Sequence, residues 1–131
     1  MCGFTGFLTT DAGPLGALES LVTRMALAIQ HRGPDDAGAW ADSQAGIALG
    51  HRRLSIVDLS PAGHQPMPSA CGRYVLVFNG EVYNHLALRA ELDAGSPHPS
   101  PLPGGEGGRW RGHSDTETLL AGFAVWGVAA T

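Results

Sequence analysis

Met1-Cys2-Gly3-Phe4-Thr5-Gly6-Phe7-Leu8 opens the chain, and its second residue decides how this stretch and the fold behind it are read. Initiator methionine is removed when the next residue is small, and cysteine qualifies, so processing is expected to leave Cys2 first. A thiol and a free α-amino group then share one residue. Reference pKa values of about 7.7–8.0 for an α-amino group and about 8.5 for a thiol let the amine take the thiol proton near neutral pH. One residue would supply nucleophile and base, the chain terminus replacing the second member of a catalytic pair. The short apolar run Gly3 to Leu8 reads as a first strand, and Cys2 equally suits a plainer role as a small buried residue opening it. The stretch by itself leaves both readings open.

Bulk properties narrow the classes. With 131 residues the chain is one domain at most, and a formal net charge of -4 gives no electrostatic case for nucleic acid or an anionic membrane. A small-molecule role is the default. No secretory apolar region follows Met1 and no 18-residue apolar run occurs, so a cytoplasmic setting is expected, with Cys2 and Cys71 as free thiols.

Working outward from the first strand, Leu15, Leu18, Val22, Met25 and Ile29 recur at helical spacing. That helix stops before His31-Arg32-Gly33-Pro34-Asp35, and short strands are expected over residues 37–41 and 47–57. Tyr74-Val75-Leu76-Val77-Phe78 is a continuous β-rich apolar run, expected as a strand buried on both faces at the centre of a sheet.

Asn79-Gly80 follows that run directly and would ordinarily make a hairpin turn. The next segment predicts a helix instead, over residues 85–92, with Asn84 as its N-cap and Leu88 and Leu92 on one face. A strand, a sharp turn and a helix expose main-chain N–H groups, which beside a side-chain amide suit a developing oxyanion in acyl transfer. A connection that merely turns the chain fits as well.

Residues 95–112 break the pattern, with six glycines and four prolines in eighteen residues, and no packed element is expected there. The glycines lack the strand and the Lys-Ser/Thr helix of a phosphate loop, and His98 and Trp110 read as incidental. Order is expected again at Ser114-Asp115-Thr116-Glu117, a capping-box pattern before Leu119, Leu120, Phe123 and Trp126. Asp115 and Glu117 are explained there as acids at a helix N-terminus. Six histidines are present without the spacing of a zinc site, so no metal is expected.

Six motifs, in order, carry a resemblance: Met1-Cys2-Gly3, His31-Arg32-Gly33-Pro34-Asp35, residues 50–60 (GHRRLSIVDLS), Gly63-His64-Gln65-Pro66-Met67, residues 78–84 (FNGEVYN) and Ser114-Asp115-Thr116-Glu117. Together they resemble the glutaminase domain of glutamine-hydrolysing asparagine synthetases, class II amidotransferases of the N-terminal-nucleophile fold. The resemblance implies an α/β (α+β) αββα sandwich, incomplete on its C-terminal side, with the synthetase domain absent and an irregular insertion at 95–112. It implies L-glutamine as substrate and Cys2 as the nucleophile forming a γ-glutamyl thioester. The oxyanion would be held by the Asn79 side chain and the Gly80 N–H. Arg53 would grip the substrate α-carboxylate, with Arg52 its solvated neighbour. Glu81 and Asp115 would receive the α-ammonium, main-chain atoms of Val57 would line the pocket, and His31, His51 and His64 would hydrogen-bond in the supporting loops. No cofactor is implied for this chain, since ATP and Mg²⁺ would serve only the synthetase domain. The rival expectation is an inactive fragment, or a binding piece dependent on the C-terminal strands and synthetase domain of a split or disrupted asparagine synthetase.

Overall fold

The computed structural model describes residues 2–11, 13–55, 61–95 and 110–131. These residues form two compact units, one within 2–55 with 64–66 and 77–79, the other within 61–63, 67–76 and 80–131.

In the first unit, β1 (Gly3–Leu8), β2 (Asp36–Asp42) and β3 (Ile47–Arg53) form an antiparallel sheet in the order β1-β3-β2. Strand alternation sorts the side chains by face. Phe7, Ala48, Ala39 and Ala41 share the face covered by α1 (Leu15–Ala28), where Leu18 and Val22 complete the core. The helix comes close because Gly50 opposes it: a Cβ there would stand 3.1 Å from the Thr5 methyl and 3.2 Å from Val22. Val22 is fully buried, a burial worth about 1.5–3 kcal/mol. The β2–β3 turn is set by the Asp42 carboxylate, which accepts the Gln44 and Ala45 N–H groups at 2.8 and 3.1 Å, and by Gly46 at φ 67°. The strand and helix expected over 3–8 and 15–29 are present. So are those over 37–41 and 47–53; of the rest of the expected 47–57 strand, Leu54 and Ser55 are not in a strand and residues 56–57 lie outside the described residues.

The segment after α1 lies on the end of β3. Gly33 is buried there, and a Cβ at this position would run into the Arg52 backbone. Arg52 corrects the expectation of a solvated neighbour: it is buried, and its Nε donates to the Gly33 carbonyl at 2.9 Å. It staples the Gly33 turn to the strand from which it projects.

In the second unit, β4 (Met67–Pro68) pairs antiparallel with β5 (Val75–Leu76), and α2 (His85–Gly95) packs on α3 (Asp115–Val125) with Leu92 and Leu120 buried. The 74–78 run is therefore no sheet centre among the described residues. Its backbone donors go elsewhere: Tyr74 N–H to the Ser69 hydroxyl at 3.0 Å and Phe78 N–H to the Gln65 side chain at 2.6 Å. Pro68, across from Val75, has no N–H to give. The capping box is also corrected. Ser114 holds the N-cap position without a side-chain cap bond, and Glu117 reaches past it to accept the N–H groups of Arg111 at 2.9 Å and Gly112 at 3.2 Å.

Arg89 of α2 organises this helix pair. Its guanidinium donates to the Thr118 hydroxyl at 2.8 Å, the Gly112 carbonyl at 2.8 Å and the Ser114 carbonyl at 2.7 Å, and stands 3.6 Å from Glu117. It also lies 4.3 Å over the ring of Trp110, whose Nε1 donates to Asp93 at 3.4 Å. Trp110 is thus a packing residue, contrary to the expectation that it is incidental. His98 and most of the expected 95–112 insertion lie outside the described residues, while Gly95 is the last residue of α2. No helix among the described residues is long and apolar enough to cross a membrane.

Candidate active site

Cys2 stands one residue before β1, half-buried beside the end of β3. The register that sets Gly3 opposite Arg52 brings the start of one strand to the end of the other. The Leu54 N–H donates to Cys2 Sγ at 3.3 Å, and Sγ lies 3.5 Å from the Leu54 carbonyl oxygen. The sulfur is thus held between the two main-chain groups of Leu54. Arg32 Nε donates to the Cys2 carbonyl at 3.3 Å, holding the backbone of the residue that would react. A side chain at Gly3 would have Ile29 at 3.1 Å and Arg32 at 3.2 Å, so the small residue lets this support approach.

Arg53 ends β3 one residue before Leu54, buried and in register with Asp36. Its carbonyl accepts the Asp35 N–H at 3.1 Å, and the Asp35 carboxylate accepts the Ser55 N–H at 2.8 Å. The His31-to-Asp35 motif thereby fixes the backbone on both sides of Arg53 and Leu54. Cys2 and Arg53, far apart in sequence, meet at one end of the sheet.

Asn79 is exposed and belongs to the same unit. The residue before it is held by the sheet face opposite α1: Gln65 Oε1 accepts the Phe78 N–H, and His51 hydrogen-bonds the Phe78 backbone. His51 is buried on β3, and its Nε2 has no hydrogen-bond partner among the described residues. Burial pushes its pKa below the ordinary histidine value. The Phe78 bond and the Asp36 charge pull it upward, and Arg53 and His64 push it further down. His64 pairs with Asp36 at 2.8 Å, whereas His31 is exposed. Gln65 carries no chemical signal of its own in the sequence; only its place in the Gly63-to-Met67 motif marks it.

In the second unit, Gly80 and Glu81 are exposed, and Asp115 Oδ2 accepts the Val82 N–H at 2.8 Å. That bond ties the backbone next to Glu81 to the first residue of α3. The residue expected as a helix-terminal acid thus also pins the segment leading to α2. Val57 lies outside the described residues. Among the described residues, no group of three or more His, Cys, Asp or Glu side chains is disposed to hold a metal ion. Cys71 is exposed, its pKa lowered chiefly by a hydrogen bond with the Ser69 hydroxyl and then by the Arg73 backbone.

Comparison with known proteins adds ancestry to this geometry. The family described as a glutamine amidotransferase domain matches residues 1–131. A putative asparagine synthetase [glutamine-hydrolyzing] from Mycobacterium tuberculosis (strain ATCC 25618 / H37Rv) is 40% identical over 139 residues, which cover 98% of this chain and 20% of the relative. Asparagine synthetase [glutamine-hydrolyzing] 1 of Bacillus subtilis (strain 168) is 39% identical over 94% of this chain and 17% of its own length. Asparagine synthetase B [glutamine-hydrolyzing] of Escherichia coli (strain K12) is 38% identical over 92% of this chain and 19% of its own length. The chain spans about a fifth of the length of these curated relatives. Matched from its first residue to its last, it belongs to the glutamine amidotransferase domain family.

Proposed function

We propose that this chain is the glutamine-hydrolysing part of an asparagine synthetase, releasing ammonia from L-glutamine through a γ-glutamyl thioester on Cys2, within an N-terminal-nucleophile αββα arrangement. The observation that carries the reading is the placement of Cys2 before β1, with the Leu54 N–H on its sulfur and Arg53 at the same sheet end.

With Met1 removed, the Cys2 amine takes the thiol proton and the thiolate attacks the γ-carboxamide carbon. The negative charge that builds on the carboxamide oxygen is met by the Asn79 side-chain amide and the Gly80 N–H. The C–N bond breaks as the amine returns its proton to the leaving nitrogen, so ammonia departs and the thioester remains. Water, deprotonated by the same amine, then attacks the thioester carbon; the C–S bond breaks and glutamate leaves. Arg53 serves the substrate α-carboxylate with its planar fork of donors, and Glu81 and Asp115 serve the α-ammonium beside main-chain atoms of Val57. Use of ATP and Mg²⁺ to activate the ammonia acceptor is assigned to the part of the relatives outside this chain, and no step here passes through them.

The test is ammonia and glutamate release, in equal amounts, from L-glutamine by protein whose first residue is Cys2. Cys2→Ala should abolish it. Undiminished release from Cys2→Ala refutes the reading.

A further inference from the structure

His64-Gln65-Pro66 has no part in the chemistry above, yet it is built tightly into the first unit. Gly38 of β2 sits against the Gln65 carbonyl: a Cβ at Gly38 would overlap that oxygen and stand 2.7 Å from His64 Nε2. His64 Nδ1 meets the Asp36 carboxylate two residues along the same strand at 2.8 Å. Two successive residues are thus fixed on β2. From this anchored backbone the buried Gln65 side chain extends its Oε1 to the Phe78 N–H at 2.6 Å, and His51 of β3 takes the Phe78 backbone as well. Phe78 is the residue immediately before Asn79.

Asn79 itself is exposed and would not be oriented by burial. An oxyanion donor contributes only when it is already aimed where the charge develops, and a misplacement of about 1 Å can cost about 10²-fold in rate. The order at Asn79 has to come from its neighbours. We propose that Gln65 is a positioning residue for Asn79, acting through the Phe78 backbone and held in place by the contact of its own main chain with Gly38. The inference rests on the oxyanion role proposed for Asn79.

Gln65→Met keeps the side-chain length and removes the acceptor oxygen, whereas Gln65→Glu keeps an oxygen at the same reach. Amide hydrogen exchange at Phe78 should quicken at least tenfold in Gln65→Met and stay near the parent value in Gln65→Glu, with β3 amides unchanged in both. In glutamine hydrolysis, Gln65→Met should lower kcat by about 10- to 100-fold with KM within about twofold, and Gln65→Glu should restore most of it. In an Asn79→Ala background, Gln65→Met should cause no further loss, since the group it positions is gone. Unchanged Phe78 exchange in Gln65→Met overturns the proposal, as does a kcat loss that repeats in full without Asn79. If Asn79→Ala leaves turnover intact, the oxyanion reading fails and the inference with it; Phe78 exchange that still responds to Gln65→Met would identify that failure. Should Gln65→Met not fold, Gln65→Asn, one methylene short of the N–H, takes its place with the same outcomes.

Discussion

Replacing Arg89 by methionine keeps the aliphatic stem along α2 and removes the guanidinium. The change deletes three donated hydrogen bonds of 2.7–2.8 Å, the cation stacked on Trp110 and the partner 3.6 Å from Glu117. Breaking a buried ion pair from one side costs about 3–5 kcal/mol, because the remaining charge stays desolvated. Glu117 keeps the Arg111 Nε at 3.3 Å and two backbone N–H groups, so the lower end applies, about 3 kcal/mol. That is a large share of the ~5–15 kcal/mol of an ordinary domain. With a urea dependence of about 1.5 kcal/mol per molar, the unfolding midpoint should fall by about 2 M. Tryptophan fluorescence is a suitable probe, since Trp110 lies directly under the guanidinium. Arg89→Lys should lie between parent and methionine variant, retaining charge but losing the fork. Adding Glu117→Gln to Arg89→Met should cost further stability, because both Glu117 oxygens accept backbone N–H groups and a glutamine nitrogen would meet one of them donor to donor. A midpoint shift in Arg89→Met below about 0.5 M would show that the cluster is not the organising contact of the helix pair.

Other outcomes follow from the same contacts. Asn79→Ala should lower glutamine turnover by about 10²–10³-fold with little change in KM, measured by steady-state ammonia release; equal turnover removes the oxyanion role. Gly38→Ala should destabilise the protein by about 1–3 kcal/mol in a urea melt, since its methyl meets a carbonyl rather than a yielding side chain; a neutral change would refute that packing. His51 has a folded-state pKa below its unfolded value of about 6.5, so the unfolded chain binds more protons as pH falls. Its contribution is full above about pH 6.5 and is lost as pH drops toward the lowered pKa, and His51→Asn should flatten that part of the stability profile. Iodoacetamide should modify the exposed Cys71 readily, whereas a glutamine-shaped electrophile should favour Cys2 and be blocked by L-glutamine, as peptide mass spectrometry would reveal. Blocked labelling at Cys71 instead would refute the choice of nucleophile.

Local signals served where one element's own residues decide its state. The Leu15-to-Ile29 spacing marked α1, and Gly3 to Leu8 marked a strand whose bounds the structure repeats. They failed where a distant side chain competes for the backbone. Nothing in Tyr74-to-Phe78 announces that Ser69 and Gln65 will take its N–H groups, and nothing in Ser114-x-x-Glu117 announces that Glu117 will turn to Arg111. Arg52 and Arg53 look alike in sequence. Only the close approach of the Gly33 turn to β3 gives Arg52 its main-chain partner there. The candidate site was legible through motifs; the supports beneath it depended on the register of three strands.

The bonds from Arg89 to Gly112 and from Trp110 to Asp93 join the last turns of α2 to the residues just ahead of α3. The chain therefore leaves α2 and re-enters before Asp115 through a closed gate, whatever length of sequence runs between. The position of Asp115 is set from Val82 and from the first turn of α3. The acid at the head of α3 and the last turns of α2 are thus kept in register by bonds among described residues alone.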